Sequence, residues 1–186
     1  QEETSSVCVL TPEEVAAARA IEGQPWEPKK PIYLKVGQNR SVPPVRLPLS
    51  LDLGQGGADM RVGGGKIEQR DQEGLWFLSE SKDPQLYVTV PETPISQIKR
   101  ITLYAEPSKD TPEPVPIELF FLTALYSEGS SFCWLQLGPL QPGGKLSVAT
   151  SDIMGWSNFG TPLTAIRIDP GDKPGTRVLL KRLVLE

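Results

Sequence analysis

The chain has no histidine among its 186 residues. That absence removes the one side chain whose unperturbed charge changes near neutral pH, and with it the commonest metal ligand. Neither a Ser-His-Asp nor a Cys-His catalytic arrangement can be assembled from it. Cysteine is almost as scarce, with Cys8 and Cys133 the only two. Zinc sites of the usual kinds need more Cys and His ligands than that. Two cysteines give no spacing pattern to read. They are either one disulfide, pinning the N-terminal arm to a strand in an oxidising compartment, or two unrelated buried thiols. An excess of positive charge is also missing: 19 Lys and Arg stand against 23 Asp and Glu, a net charge of -4. A basic footprint for nucleic acid is therefore not expected. No apolar run approaches the roughly 20 residues that a membrane-crossing helix needs. The polar start at Gln1 matches a processed secreted chain, so an extracellular, periplasmic or cell-surface location is expected.

Turn-forming residues, by contrast, are abundant, with 19 prolines and 17 glycines. They sit mostly between short apolar runs, which is the punctuation of an all-β sandwich or barrel. Strands are expected at 32–36, 45–53, 75–79, 85–90, 98–106, 117–127, 131–137, 145–150, 163–169 and 177–185. One short helix is expected ahead of them. Thr11 is a good N-cap, Pro12 suits the first helical position, Glu14 completes a capping box, and Gly23 is a natural stop. The expected organisation is an N-terminal arm, helix and Pro-rich connector over 1–31, then a β-sandwich domain over 32–186. The Gly-rich stretch 54–65 reads as a flexible loop. Gly63-Gly64-Gly65-Lys66 lacks the spacing of a phosphate-binding loop.

The strand faces follow from alternation. Ile101 and Leu103, Leu119 and Phe121, and Ile166 and Ile168 each repeat with the period of two that marks a buried face. Between Leu180 and Leu183 the alternation slips by one residue. A β-bulge at Lys181-Arg182 would restore it and return Leu183 and Leu185 to the core. Both faces of 117–127 are apolar, as in a central strand covered on both sides.

Four features in order carry a family resemblance: LWFLSESKDPQLYV from Leu75, IKRITLYAE leading through a long loop to IELFFLTAL, Gly155-Trp156, and Ile166-Arg167-Ile168-Asp169-Pro170 before the final VLLKRLVLE. From about residue 75 to the end the chain resembles the galactose-binding-like jelly rolls found as carbohydrate-binding modules in bacterial polysaccharide-active proteins. The resemblance implies an antiparallel jelly-roll β-sandwich that binds a polysaccharide or other glycan without catalysis. It also implies a possible structural Ca²⁺ on loop oxygens, for which Asp52, Asp59, Asp71 and Asp83 are the available ligands. A structural or interaction subunit of an extracellular assembly is the competing class, with the arm and the Pro-rich loop 107–116 as contact surfaces.

Sugar recognition combines a flat aromatic face with polar side chains that reach hydroxyls. Arg100, Thr102 and Tyr104 share the polar face of one expected strand and are the ligand-binding candidates, with Trp26 in the Pro-rich connector as an outlying fourth. For most aromatics, core packing is the simpler reading. Trp134 and Trp156 are both expected in the core. The RIDP segment reads as structural, with Arg167 paired to a nearby carboxylate. No pair among the 23 acids is distinguished as a glycosidase pair, so no enzymatic activity is expected.

Overall fold

The computed structural model is described over residues 37–186, except 56–57, 112–113, 128–132 and 142. The expected helix, the strand at 32–36, Trp26 and Cys8 lie outside the described residues. The compact unit Leu34–Glu186 is all-β. Its strands are β1 (Leu49–Asp52), β2 (Met60–Gly63), β3 (Gly65–Arg70), β4 (Leu75–Ser79), β5 (Gln85–Thr93), β6 (Arg100–Pro107), β7 (Val115–Thr123), β8 (Trp134–Leu140), β9 (Lys145–Ala149), β10 (Leu163–Pro170) and β11 (Arg177–Leu185).

These strands form two antiparallel sheets. The six-stranded sheet runs β3-β4-β11-β6-β9, with β1 also paired to β11; the five-stranded sheet runs β2-β5-β10-β7-β8. The last two strands in sequence are interior strands, one in each sheet, so the C-terminal tail organises both layers. The expected bulge is present, as a register shift between Leu180 and Arg182 opposite Ala105 and Tyr104. Lys181 and Arg182 consequently both reach solvent, while Leu180 and Leu183 are fully buried.

The core lies between the sheets. Ile101, Leu103, Leu119, Phe121, Ile166, Ile168, Leu183 and Leu185 are all completely buried there, as their alternation requires. Phe121 is one of the largest of them. Its ring lies edge-on to Trp156 at 5.2 Å and stacks on Phe159 at 5.8 Å. Trp156 donates its indole N–H to the Ile95 carbonyl at 3.2 Å, so its polar atom is satisfied in the packing role expected for it.

The stretch expected to be a loop differs. Met60–Gly63 and Gly65–Arg70 are strands, one in each sheet, and Gly64 is the corner between them. Gly64 has φ +62°, and a Cβ there would stand 2.4 Å from both the Asp83 carbonyl oxygen and the Ser81 Oγ. Only glycine fits that corner. The polar sequences MRVG and GKIEQR hide edge strands that are solvated on one side.

Phe121→Ala should lower the free energy of unfolding by about 3–5 kcal/mol, because a large cavity opens beside Trp156 and Phe159. Urea unfolding monitored by tryptophan fluorescence checks this.

Candidate functional site

The outer face of the five-stranded sheet is built by strand register. Arg61 of β2 stands opposite Tyr87 of β5, Tyr87 opposite Arg167 of β10, Arg167 opposite Phe120 of β7, and Phe120 opposite Trp134 of β8. Since alternate residues face opposite sides, these five side chains form one continuous row across all five strands. The Arg61 guanidinium sits 4.2 Å from the Tyr87 ring centroid. That of Arg167 lies 4.2 Å from Phe120 and 5.9 Å from Tyr87. Phe120 and Trp134 follow at 6.5 Å, tilted by 48°. Trp134 is 41% exposed.

A polar row runs beside the aromatic one. Asp169 stands opposite Glu118, and Glu118 opposite Gln136. Arg167 joins the two rows. Its Nε donates to Asp169 Oδ1 at 2.7 Å, and its Nη2 donates both to Asp169 Oδ2 and to Asp83 Oδ1, the latter at 2.9 Å. Gln85 Nε2 donates to the other oxygen of Asp83 at 2.7 Å, and the Tyr87 hydroxyl donates to Gln85 Oε1 at 3.0 Å. The Arg167 side chain is only 11% exposed and that of Asp169 only 6%. Glu118 and Gln136 engage no protein partner among the described residues.

One guanidinium here serves two carboxylates, and a third, Glu118, lies near Asp169. Burial pushes the Asp169 carboxyl up to about 6; Arg167 pulls it down, and the nearby charges of Asp83 and Glu118 push it up again. A bidentate arginine would by itself hold an aspartate low. Here burial, with the like charges of Asp83 and Glu118 added to it, outweighs the arginine.

Arg100, Thr102 and Tyr104 lie on β6, on the outer face of the other sheet. Thr102 is buried, and its Oγ1 is 2.9 Å from Ser147 Oγ. Tyr104 is half-buried between Arg182 at 4.4 Å and Lys145 at 6.0 Å, while Arg100 is exposed at the strand end. Trp134, expected in the core, points outward instead. Its partner Phe120 follows the outward phase of β7, leaving Leu135 and Leu137 to turn inward. Arg167 is paired to carboxylates, as expected.

Cys133 is a buried thiol, free among the described residues, and burial raises it to about 11; Cys8, the other half of the expected pair, lies outside them. Asp52 accepts the backbone N–H groups of Gly54 and Gln55, Asp71 accepts that of Glu73, and Asp83 belongs to the Arg167 cluster. Among the described residues no three of His, Cys, Asp and Glu gather as metal ligands. A cavity of about 550 Å³, lined by Leu51, Asp52, Ala58, Asp59, Thr89 and Pro91, begins two residues along β5 and β2 from Tyr87 and Arg61. No helix among the described residues is long and apolar enough to cross a membrane.

No protein-family model matches this chain, and no curated protein matches it in sequence. Solved structures do match in fold. A low-affinity xylan-binding module, CBM86, from the gut symbiont Roseburia intestinalis superposes with a TM-score of 0.51 at 12% identity, over 76% of this chain and 96% of that one. The xylan-binding module CBM15 gives 0.52 at 11% identity, over 74% and 95%. Xylanase10C of Cellvibrio japonicus gives 0.53 at 12%, over 74% of this chain but only 28% of the enzyme. At such identities the likeness establishes the fold. The chain is an all-β domain with the jelly-roll architecture of carbohydrate-binding modules.

The raised Asp169 carboxyl has a consequence for stability. Its folded value, about 6, lies above the ordinary 3.8. The folded state therefore binds this proton more tightly than the unfolded chain does. The resulting stabilisation is complete below about pH 4 and is lost as the pH rises through about 6, with a size on the order of 3 kcal/mol. Relative to Asp169→Asn, which has no proton to lose, the wild type should lose unfolding free energy between about pH 4 and about pH 7. Paired urea titrations across that range measure this slope.

Proposed function

We propose that this domain is a non-catalytic carbohydrate-binding module of a secreted or cell-surface protein, and that a polysaccharide chain lies across the outer face of its five-stranded sheet. The observation that carries this reading is the register-built row of Arg61, Tyr87, Arg167, Phe120 and Trp134, flanked by the unengaged Glu118 and Gln136. Rings supply apolar faces for the C–H surfaces of sugars, while carboxylate, amide and guanidinium reach the hydroxyls. The row crosses all five strands, roughly 19 Å at the usual strand spacing, which suits a chain better than a small molecule. Two modules of the same fold are described as xylan-binding, and this makes xylan the first ligand to try.

Binding without turnover is the reading the acids favour. A glycosidase acid needs a carboxyl free to deliver its proton to the leaving oxygen. Both oxygens of Asp169 accept hydrogen bonds from Arg167. Asp83, its near neighbour, is equally occupied by Arg167 and Gln85.

Affinity electrophoresis against xylan, mixed-linkage β-glucan, mannan and galactan tests the proposal. The wild type should be retarded by at least one of them. Trp134→Ala and Phe120→Ala should each weaken that binding by about tenfold or more, as truncated aromatic anchors do. Neither should lower the urea-unfolding midpoint by more than a surface substitution does. Retardation by none of the polymers, or unchanged retardation in both variants, would refute this assignment of the face. Reducing-sugar release that Asp169→Asn abolishes would make the domain an enzyme.

A further inference from the structure

Arg167 uses only part of its donor set on the protein. Nε and Nη2 are committed to Asp169 and Asp83, whereas Nη1 has no partner among the described residues. No buried side-chain nitrogen lacks a partner, so Nη1 opens to solvent. The guanidinium plane rests against Phe120 and its other edge is clamped, which leaves the two N–H groups of Nη1 fixed in place. A planar fork held in this way loses little entropy when it bonds a ligand.

The charge around it is the second observation. An arginine in the middle of a binding strip ordinarily suggests an acidic ligand. Here Asp83 and Asp169 both hold that one cation, Glu118 adds its charge beside Asp169, and the next cation in the row, Arg61, is stacked on Tyr87. A uronate carboxylate approaching Nη1 meets net negative charge. A neutral sugar meets two donors on Nη1 and an unengaged acceptor on Glu118, which matches the donor and acceptor character of hydroxyl groups.

We propose that Arg167 is the specificity-determining residue of the strip, held by Asp169 and Asp83 so that Nη1 donates to hydroxyl oxygens of an uncharged polysaccharide, and that the strip discriminates against uronic-acid polymers. The inference rests on the reading of this face as a glycan site. It adds a ligand class and a pH response. The groups that face Asp169 are Arg167 on its own strand, Asp83 before β5 and Glu118 on β7, with Gln85 and Tyr87 completing the network. Protonation of Asp169 removes the charge that fixes Nε and Nη2. Affinity for the neutral chain therefore falls as the pH drops through about 6. The same proton stabilises the fold, so affinity and stability move in opposite directions, which general acid damage to the domain would not produce.

Isothermal titration with xylohexaose, cellohexaose and mannohexaose, against hexagalacturonate, tests this at several pH values between about 5 and about 7.5. At the upper end, a neutral hexasaccharide should bind about tenfold or more tighter than hexagalacturonate, and Arg167→Lys should lose about tenfold or more while melting cooperatively. Asp83→Asn, a change at a side chain 69% exposed, should weaken binding several-fold. It should also move the pH midpoint downward, because one repulsive charge on Asp169 is gone. If Arg167→Lys does not fold, Asp83→Asn and the wild-type pH profile decide. Neutral binding that depends on Trp134 but ignores pH and both variants would overturn this inference and leave the glycan face standing. Preference for hexagalacturonate would also overturn the inference alone. Absence of any Trp134-dependent binding would remove the glycan face itself.

Discussion

The alternation of side chains along β10 divides the molecule in two. Ile166 and Ile168 point into the core and are fully buried, while Arg167 and Asp169 point the other way into the ionic cluster. A slip of one residue in its pairing with β5 and β7 would exchange these sets. It would put a guanidinium and a carboxylate between the sheets and two isoleucines on the surface. Burying those charges among apolar side chains costs several kcal/mol per ion. Losing two isoleucines from the core costs more again. The apolar core and the ionic outer face therefore select the same register. Because β5 and β7 are both paired to β10, that register also aligns Tyr87 and Phe120 on either side of Arg167.

β11 performs the same service in the other sheet, with one difference. Its core residues are out of phase before and after Lys181-Arg182. The bulge absorbs the extra residue, so Leu180 and Leu183 are both buried. Its outward residues then fall into separate pairs. Arg177 lies 4.4 Å from Trp76, and Arg182 4.4 Å from Tyr104. That face carries aromatics under cations but not one continuous row.

What could be seen in the sequence follows from range. Alternation and turn chemistry are local, and they placed Leu75–Ser79 and Arg177–Leu185 at their observed bounds, the bulge, and the eight buried core residues. The edge strands β2 and β3 were hidden because an edge strand solvated on one side needs little apolar content, and three glycines mark their corner. The candidate site was hidden for a different reason. Arg61, Tyr87, Arg167, Phe120 and Trp134 come from five segments and meet only through cross-strand pairing. No single segment displays the row. One local signal pointed to it: β7 is apolar on both faces. That pattern suggested a strand covered on both sides, yet its outer face holds Phe120 beside an exposed Trp134.

Phe120 and Phe121 are adjacent in sequence and illustrate how one strand serves two purposes. Phe121 packs against Trp156 and Phe159, where every methylene of volume contributes to stability. Phe120 packs against a guanidinium on one side and a tilted indole on the other. Left bare, an outward aromatic on a sheet would invite nonspecific association. Charges on the neighbouring strands reduce that hazard: Arg167, Glu118 and Asp83 surround the rings and keep the strip wet. The same charges raise the Asp169 carboxyl and so cost the fold some stability at neutral pH. A cluster of one cation and three carboxylates is not what stability alone would select on a sheet surface. An apolar or simply solvated face would be cheaper. Its place beside the row of rings is what the proposed binding of a polar, hydroxyl-bearing ligand would require, and the fold alone would not.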